Sequence, residues 1–208
     1  MASRNGRIAG ILFLVASAQF ILGLVVAEAL YPDYNVADNY ISDLGVGPSS
    51  MVFNSSAFLF GGLSLIGAYF LPRTVDFRSL TVLLALMAIG AMGVGIFTSA
   101  FTTLHGVVSL MAFGFGGLSA IVSFKTSKLP LSGISVLLGA ITLGALVLFA
   151  VGLVTTGSLT SSEPPTSEFF LGIGPGGMER MIVYPAFIWL ILFSGHLITL
   201  SEKQETPK

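Results

Sequence analysis

The stretch that decides the fold lies between residues 131 and 154 and reads LSGISVLLGAITLGALVLFAVGLV. It contains no ionisable side chain. Its apolar residues also lack the short alternating pattern of a membrane β-strand. About 20 apolar residues cross the roughly 30 Å hydrocarbon core of a bilayer as a helix. The stretch therefore predicts a transmembrane helix.

Five further apolar stretches predict transmembrane helices at residues 8–30, 51–71, 79–100, 105–124 and 177–200. Only 9% of the 208 residues are charged, whereas a soluble domain carries about 25%. The mean hydropathy is +0.93. We therefore predict an all-α fold, a polytopic membrane bundle of six transmembrane helices that forms one domain over residues 1–208. The net charge of −1 gives no indication of nucleic-acid binding, and the absence of cysteine excludes disulfides and cysteine metal sites.

The basic residues predict the orientation in the membrane, because cytoplasmic loops are enriched in Lys and Arg. If six helices alternate, eight basic residues fall at one end, namely Arg4, Arg7, Arg73, Arg78, Lys125, Lys128, Lys203 and Lys208. We therefore expect a protein of the cell membrane with both termini in the cytoplasm. The opposite, outer loops carry only acidic charges, at Asp33, Asp38, Asp43, Glu163 and Glu168. The start of the chain resembles a signal peptide, but its apolar run continues to Val26, so we expect a retained first helix.

Arg180 is the one basic residue at the outer end of the predicted bundle, directly after Glu179. A cation at this boundary needs a partner. The candidate carboxylates are those of Glu28, Asp38, Asp43 and Glu179. The alternative is a side chain that reaches out to lipid phosphates.

The most polar stretch is NVADNYISDLG, residues 35–45, in the first outer loop. Its apolar residues recur at helical spacing and predict a short amphipathic helix on the membrane surface, capped by Asn35 and ended by Gly45. Asp43 would then oppose the helix dipole from the last turn. A residue placed against local preference is a candidate for functional use, and an exposed loop carboxylate is the alternative.

The last outer loop has two parts. Residues 158–166 are polar and predict a flexible segment, whereas residues 169–177 are apolar but rich in helix breakers and predict a segment that leans on the helix ends. The loop at residues 101–104 is short and predicts an antiparallel hairpin of helices three and four. Small residues spaced four apart predict close helix contacts at Ala91, Gly95, Ser99, Ala112, Gly116, Ala120, Ser135 and Gly139.

Polar residues at the outer helix ends form the candidate site. The candidate ligand-binding residues are Asp38, Ser42, Asp43, Asn54, His105, Glu179, Arg180 and Tyr184, and the catalytic candidates among them are His105, Asp43 and Glu179. His105 opens helix four, where the positive helix end favours a neutral ring that can act as a base, bind a metal or simply hold a hydrogen bond. The other histidine, His196, belongs to the cytoplasmic end. We therefore predict neither a metal site nor a cofactor.

The membrane midplane carries only uncharged polar residues, at Gln19, Ser64, Ser109, Ser119 and Thr142. Ion and proton pathways usually place an ionisable group at that depth. This composition argues against such a pathway but not against a carrier of apolar or lipid molecules.

Several motifs resemble the membrane family called domain of unknown function 998, which consists of six-helix proteins of archaea and bacteria. The motifs are Ile41-Ser42-Asp43-Leu44-Gly45, Asn54, Gly61-Gly62, His105, and Gly177-Met178-Glu179-Arg180-Met181 with Tyr184-Pro185 and Trp189. The resemblance covers essentially the whole chain and implies the six-helix architecture but no activity. Where family members often have a Pro-rich turn before the histidine, this chain has Phe101-Thr102-Thr103-Leu104.

A looser resemblance links Ser42 and Asp43 to the alkaline ceramidases, membrane hydrolases that use Ser, Asp and three His. Because His105 is the only outer histidine, we do not expect that mechanism in its usual form.

Three functions remain open. The first is a membrane protein whose outer polar cluster binds a ligand or a lipid headgroup. The second is a hydrolase that acts on a lipid or envelope substrate through His105 and acidic residues, and the third is a transporter of apolar or lipid molecules. The expected partners are membrane lipids and either another membrane protein or a second copy of the chain.

Overall fold

The computed structural model describes residues 2–71, 75–155 and 168–205, and within them six long helices dominate. They are α1 Ala2–Leu30, α2 Ser50–Phe70, α3 Val75–Ile96, α4 Thr102–Val122, α5 Leu131–Thr155 and α6 Gly174–Glu205. All six are long and apolar enough to cross a membrane. The predicted all-α architecture with six spans is therefore confirmed.

The helices form a closed ring. Each helix packs against the next along the chain, and α6 returns to pack against α1. Gly10 on α1 lies so close to α6 that an added Cβ would stand 2.8 Å from the carbonyl oxygen of Ser194. The start of α1 and the end of α6 consequently lie at the same end of the bundle. We call this the inner end and the opposite one the outer end; that the inner end faces the cytoplasm stays a prediction.

Small residues set the distances between helices, as the sequence predicts. A Cβ added to Gly95 on α3 would lie 2.5 Å from the carbonyl oxygen of Asn54 on α2. A Cβ on Gly139 of α5 would lie 2.6 Å from the carbonyl oxygen of Gly117 on α4. Backbones that approach this closely pack well in lipid, where no hydrophobic effect drives helices together.

Aromatic side chains fill the centre of the ring. The ring of Phe187 on α6 stacks on Phe20 of α1 at 5.0 Å and contacts Phe60 of α2 at 4.7 Å. Deeper in α6, Trp189 is buried, and its Nε1–H donates to the hydroxyl of Ser123 at 2.9 Å. Trp189 therefore packs inside the bundle.

The predicted surface helix at residues 35–45 is wrong in its extent. Only Ile41–Gly45 is helical, and it is a 3₁₀ helix. Before it, the chain turns, because the side-chain oxygen of Asn35 accepts the N–H of Ala37 at 2.9 Å and so replaces a helical bond. Asp43 therefore lies in the first turn of the short helix, where a carboxylate is favourable, and not in the last.

α6 begins at Gly174, three residues before its predicted start. Pro175 does not prevent this, because the first turn of a helix needs no N–H from proline. Gly174 has a φ of +75°, and a Cβ here or on Gly176 would collide with the backbone of residues 37–39. The glycines thus let the start of α6 touch the first outer loop, where the N–H of Gly176 also donates to the carbonyl oxygen of Ala37.

The predicted flexible segment 158–166, with Glu163, and the basic residues Arg73 and Lys208 lie outside the described residues.

Candidate functional site

Arg180 anchors the first outer loop to the bundle. Its side chain is buried, and one end of the guanidinium donates to Oε1 of Glu28 at 2.5 Å and to the hydroxyl of Tyr34 at 2.9 Å. The other end donates to the carbonyl oxygens of Val36 at 3.0 Å and Gly176 at 2.9 Å. Of the four carboxylates considered as partners, Glu28 forms the ion pair. The alternative that Arg180 reaches lipid phosphates is excluded by its burial.

Tyr34 completes this anchor. Its ring lies beneath the guanidinium of Arg180, at 5.6 Å from the centroid, and its hydroxyl donates to the carbonyl oxygen of Tyr40 at 2.9 Å. Burial raises the pKa of Tyr34 to about 12. The hydroxyl therefore stays protonated and keeps both contacts.

Glu179 holds the same loop from the other side. Its side chain is 8% exposed, and Oε2 accepts the N–H of Ile41 at 2.5 Å. That N–H belongs to the first turn of the 3₁₀ helix and has no partner within the helix. Glu179 therefore acts as a distant cap, and this fixes the position of Ser42 and Asp43.

Asp43 caps the helix a second time. Its Oδ2 accepts the N–H of Tyr40 at 2.9 Å. Burial raises the pKa of the Asp43 carboxyl above its ordinary value, against the lowering effect of this hydrogen bond. Burial also raises the pKa of Tyr40 to about 12, and the charges of Glu179 and Asp43 add to the rise. The two carboxylates thus lie close enough to act on the same phenol.

Asn54 fixes the end of the 3₁₀ helix. Its Nδ2 donates to the carbonyl oxygen of Gly45 at 2.9 Å. Asn54, a candidate ligand-binding residue, thus holds the first outer loop. Asn54 lines neither of the two cavities at this end of the bundle, so it acts on the site only through the loop that it holds.

His105 lies in the first turn of α4 with its tautomer set by the backbone. Nδ1 lies 2.7 Å from the carbonyl oxygen of Phe97. A carbonyl only accepts hydrogen bonds, so Nδ1 carries a proton. In a neutral ring Nε2 then carries the lone pair, which is the state that a base or a hydrogen-bond acceptor needs.

These elements surround an outer cavity of about 480 Å³, bounded by the first outer loop, α4, α5 and α6. Its polar lining consists of Tyr40, Ser42, Asp43, Ser99, Thr102, His105, Ser109 and Glu179. Its apolar lining comes mainly from Leu110 and Phe113 on α4 and from Leu146, Phe149 and Leu153 on α5. The cavity is therefore polar at one end and apolar along its walls.

The outer cavity lies between the outer ends of α4 and α5. The two helices touch nearer the inner end, at Gly117 and Gly139, but both line the cavity at the outer end. Leu110 and Ala150, one on each wall, are exposed on the surface of the bundle. If the helices span a membrane, this opening faces the lipid.

A second, inner cavity of about 60 Å³ adjoins the first. Five residues line both cavities, namely Ser42, His105, Ser109, Phe113 and Glu179. The inner cavity continues along the bundle as far as Gly116 and Trp189.

Four of the predicted site residues, Ser42, Asp43, His105 and Glu179, line the outer cavity together. Asn54 and Arg180 support the loop behind them. Asp38 is exposed and its Oδ2 accepts from the amide of Asn35, and Tyr184 is 41% exposed on α6; neither lines a cavity. Within the described residues, no three His, Asp or Glu side chains are grouped as a metal site requires.

The sequence reasoning missed Tyr40 as a lining residue, together with the apolar wall. The sequence does contain an indication for Tyr40, because it lies three residues before the candidate Asp43. Leu146, Phe149 and Leu153 had none, since an apolar residue on a membrane helix looks the same whether it faces lipid or a cavity.

Comparison with known families gives one result. A family model described as a protein of unknown function, DUF998, matches residues 14–196, which is most of the chain. Neither the comparison with curated proteins nor that with solved structures found a match.

Proposed function

We propose that this chain, which belongs to the DUF998 family of proteins of unknown function, is a multi-pass membrane protein that binds a lipid-type amphiphile in the outer cavity. The observation that carries the proposal is the lining of that cavity, polar at one end and apolar along the walls of α4 and α5. Ligand sites are typically apolar cavities of about 300–1,000 Å³ with a few placed polar groups. The opening between Leu110 and Ala150 gives such a ligand a lateral entry from the bilayer.

The polar end favours a headgroup that donates hydrogen bonds. It carries the carboxylates of Asp43 and Glu179 and several hydroxyls, and no Lys or Arg among the described residues lines it. Arg180, the one cation of the outer end, is occupied by Glu28 and the loop. Carboxylates accept hydrogen bonds from hydroxyl or ammonium groups and repel phosphates. The proposed ligand therefore has a hydroxyl or amine headgroup.

Binding is tested with 1-monooleoylglycerol, an uncharged diol with one alkyl chain, on the purified protein in detergent. A ligand at 100 times its dissociation constant stabilises the folded state by about 2.7 kcal/mol. For a chain of this size that corresponds to a rise in melting temperature of roughly 5–10 °C. We expect such a rise for the wild-type protein.

A matched pair of variants localises the effect. Gly106 lines the outer cavity and Gly114 does not, both lie on α4, and a Cβ on either meets nothing within 4 Å. Gly106→Phe should abolish the rise, whereas Gly114→Phe should keep it. Equal rises in both variants, or no rise in the wild-type protein, would refute binding in the outer cavity.

A hydrolase is the second candidate function, favoured by the tautomer of His105. The contact with Phe97 leaves Nε2 as a base beside a cavity that also contains Ser42 and Glu179. Asn at position 105 keeps an N–H donor in the place of Nδ1 but has no counterpart of Nε2. If the chain hydrolyses monooleoylglycerol, water cleaves the ester bond to give oleate and glycerol, and His105→Asn loses this release of oleate while its melting temperature stays near that of the wild type. A pure binding protein releases no oleate in either form.

One observation favours the transporter alternative, and another argues against it. The inner cavity continues past Ser109 towards the inner end, as a carrier requires. Below its end, however, the ring of Trp189 stacks on the buried Phe193, at 5.5 Å between centroids. Because this aromatic pair lies between the cavity and the inner end, we propose binding and not transport.

A further inference from the structure

We infer that the inner cavity receives the hydrocarbon tail of the amphiphile, one chain that enters the bundle from the outer cavity and ends at Trp189. The inference rests on the proposed function, because the tail belongs to the ligand whose headgroup lies in the outer cavity. It adds the ligand class, an amphiphile with a single hydrocarbon chain.

The inner cavity has the length of a chain. On α6 its lining runs from Glu179 to Leu190, and on α4 from His105 to Gly116. Each pair is separated by eleven positions, which is about 16 Å along a helix. A volume of only about 60 Å³ over that length is a narrow passage that runs along the bundle axis. With about 60 Å³ of free space, the passage excludes a second chain or a fused ring system, and it admits a single alkyl chain when the side chains that line it move apart.

The walls of the passage suit hydrocarbon and not water. Below the shared residues the lining is aromatic or aliphatic, for example Phe20, Phe60 and Phe187, with small residues such as Ala57 and Ala112 leaving the space. A buried water needs two to four polar partners, and cavities lined only by apolar side chains stay dry and bind apolar molecules. Filling this space with methylene groups also restores dispersion contacts that the lining otherwise lacks.

The two cavities are continuous at the level where the polar groups end. Ser42 and Glu179 on one side and His105 on the other border both spaces. A headgroup held at this level projects its chain either inward, towards Trp189, or sideways, along the opening between α4 and α5. The inward path removes the whole chain from competition with bilayer lipids, whereas the sideways path leaves it among them.

Trp189 makes the two paths distinguishable, because it is the only tryptophan of the chain and lines the end of the inner cavity. The probe is monooleoylglycerol with its double bond converted to a dibromide, since bromine quenches tryptophan emission at short range. We expect saturable quenching of most of the Trp189 emission over the same concentrations that raise the melting temperature. Unbrominated monooleoylglycerol should reverse the quenching.

Two variants on α2 test the inner path, one that fills part of the inner cavity and one that serves as its control. Ala57 is buried and lines the inner cavity but not the outer one. Gly62 lines neither cavity, and a Cβ added to it would meet no atom within 4 Å. Ala57→Leu should lose the quenching, and Gly62→Leu should keep it. The dibromide placed near the headgroup instead of mid-chain should quench Trp189 less, which tests the same geometry in the unmodified protein.

The outcomes separate the two proposals. A rise in melting temperature that depends on Gly106 but leaves Trp189 unquenched overturns the inner path and keeps the outer binding site. Quenching that persists in Ala57→Leu also overturns the inner path, because it comes from probe outside the bundle. The absence of both effects in the wild-type protein overturns the proposed function and this inference with it.

Discussion

Replacing Glu28 with glutamine should destabilise the outer end of the bundle, because the carboxylate neutralises a buried cation. Glu28 Oε1 lies 2.5 Å from Nη2 of Arg180, and the two side chains are 23% and 7% exposed. No other carboxylate among the described residues forms an ion pair with Arg180. Loss of the charge therefore leaves a guanidinium with only neutral partners.

The expected cost lies between two limits. Breaking a fully buried ion pair costs about 3–5 kcal/mol, and an exposed pair contributes about 0–1 kcal/mol. Glu28 is partly exposed, glutamine keeps an oxygen acceptor, and Tyr34, Val36 and Gly176 still accept from the guanidinium. We therefore expect about 2 kcal/mol for Glu28→Gln, which for a chain of this length is a fall of roughly 4–8 °C in melting temperature.

The assay is thermal unfolding in one detergent at one scan rate, with Asp38→Asn as the matched control. Asp38 is an exposed carboxylate of the same loop, outside the contacts of Arg180, and surface changes of this kind usually stay within about 0.5 kcal/mol. Arg180→Met should also cost less in the Glu28→Gln background than alone, because the two residues are coupled. Equal melting temperatures of Glu28→Gln and Asp38→Asn, or strictly additive costs in the double variant, would refute the assigned ion pair.

Two further predictions concern the loop and the helix contacts. Burial raises the folded-state pKa of Asp43 above its ordinary 3.8. The stability that this carboxyl contributes is therefore complete below pH 3.8 and is lost as the pH rises through the raised pKa. Asp43→Asn keeps an oxygen acceptor for the N–H of Tyr40 but does not titrate, so the melting temperature of the variant relative to the wild type should rise from about pH 4 upward, and a difference that is constant with pH would contradict this. Gly139→Ala should cost about 1–3 kcal/mol, because its Cβ meets the carbonyl of Gly117 at 2.6 Å. Gly144→Ala, with nothing within 4 Å, should gain about 0.5–1 kcal/mol from helix propensity, and equal effects of the two changes on thermal unfolding would contradict the contact.

The membrane helices were predictable because a bilayer imposes one rule on every span. Backbone groups in hydrocarbon must be satisfied within the segment, so length and hydropathy suffice to identify a helix. The bounds agree closely for α2 and α5, at Ser50–Phe70 and Leu131–Thr155. The start of α6 was less predictable, because Gly174 and Pro175 normally interrupt a helix but here open one against the first outer loop.

The first outer loop was not predictable from its own pattern. Its apolar spacing favours a helix over residues 35–45, but the carbonyl of Val36 accepts from Arg180 and the N–H of Ile41 donates to Glu179. These partners lie more than 130 positions away along the chain. Local propensity is a weak prior that such tertiary contacts override.

The sequence partly predicts which residues form the site, but it does not predict which of them pair with each other. Polar residues at helix ends of one side must lie at the same depth, and for this reason the sequence alone groups Ser42, Asp43 and His105. Which carboxylate meets Arg180 depends on the rotation of α1 and α6 about their axes. Hydropathy contains no information on that rotation, so Glu28 was one candidate among four.

The consecutive residues Glu179 and Arg180 connect the stability of the loop to the charge of the outer cavity. Neighbours on a helix point about 100° apart, so Glu179 lines the cavities while Arg180 turns to Glu28 on α1. Arg180 is the only Lys or Arg residue in the outer loops and adjoining helix ends. By engaging it, the loop anchor removes the one cation that would neutralise the acidic lining. The anchor therefore does more than hold Ile41–Gly45 in place: it keeps the cavity an acceptor of hydrogen bonds, and this is what selects a headgroup that donates them.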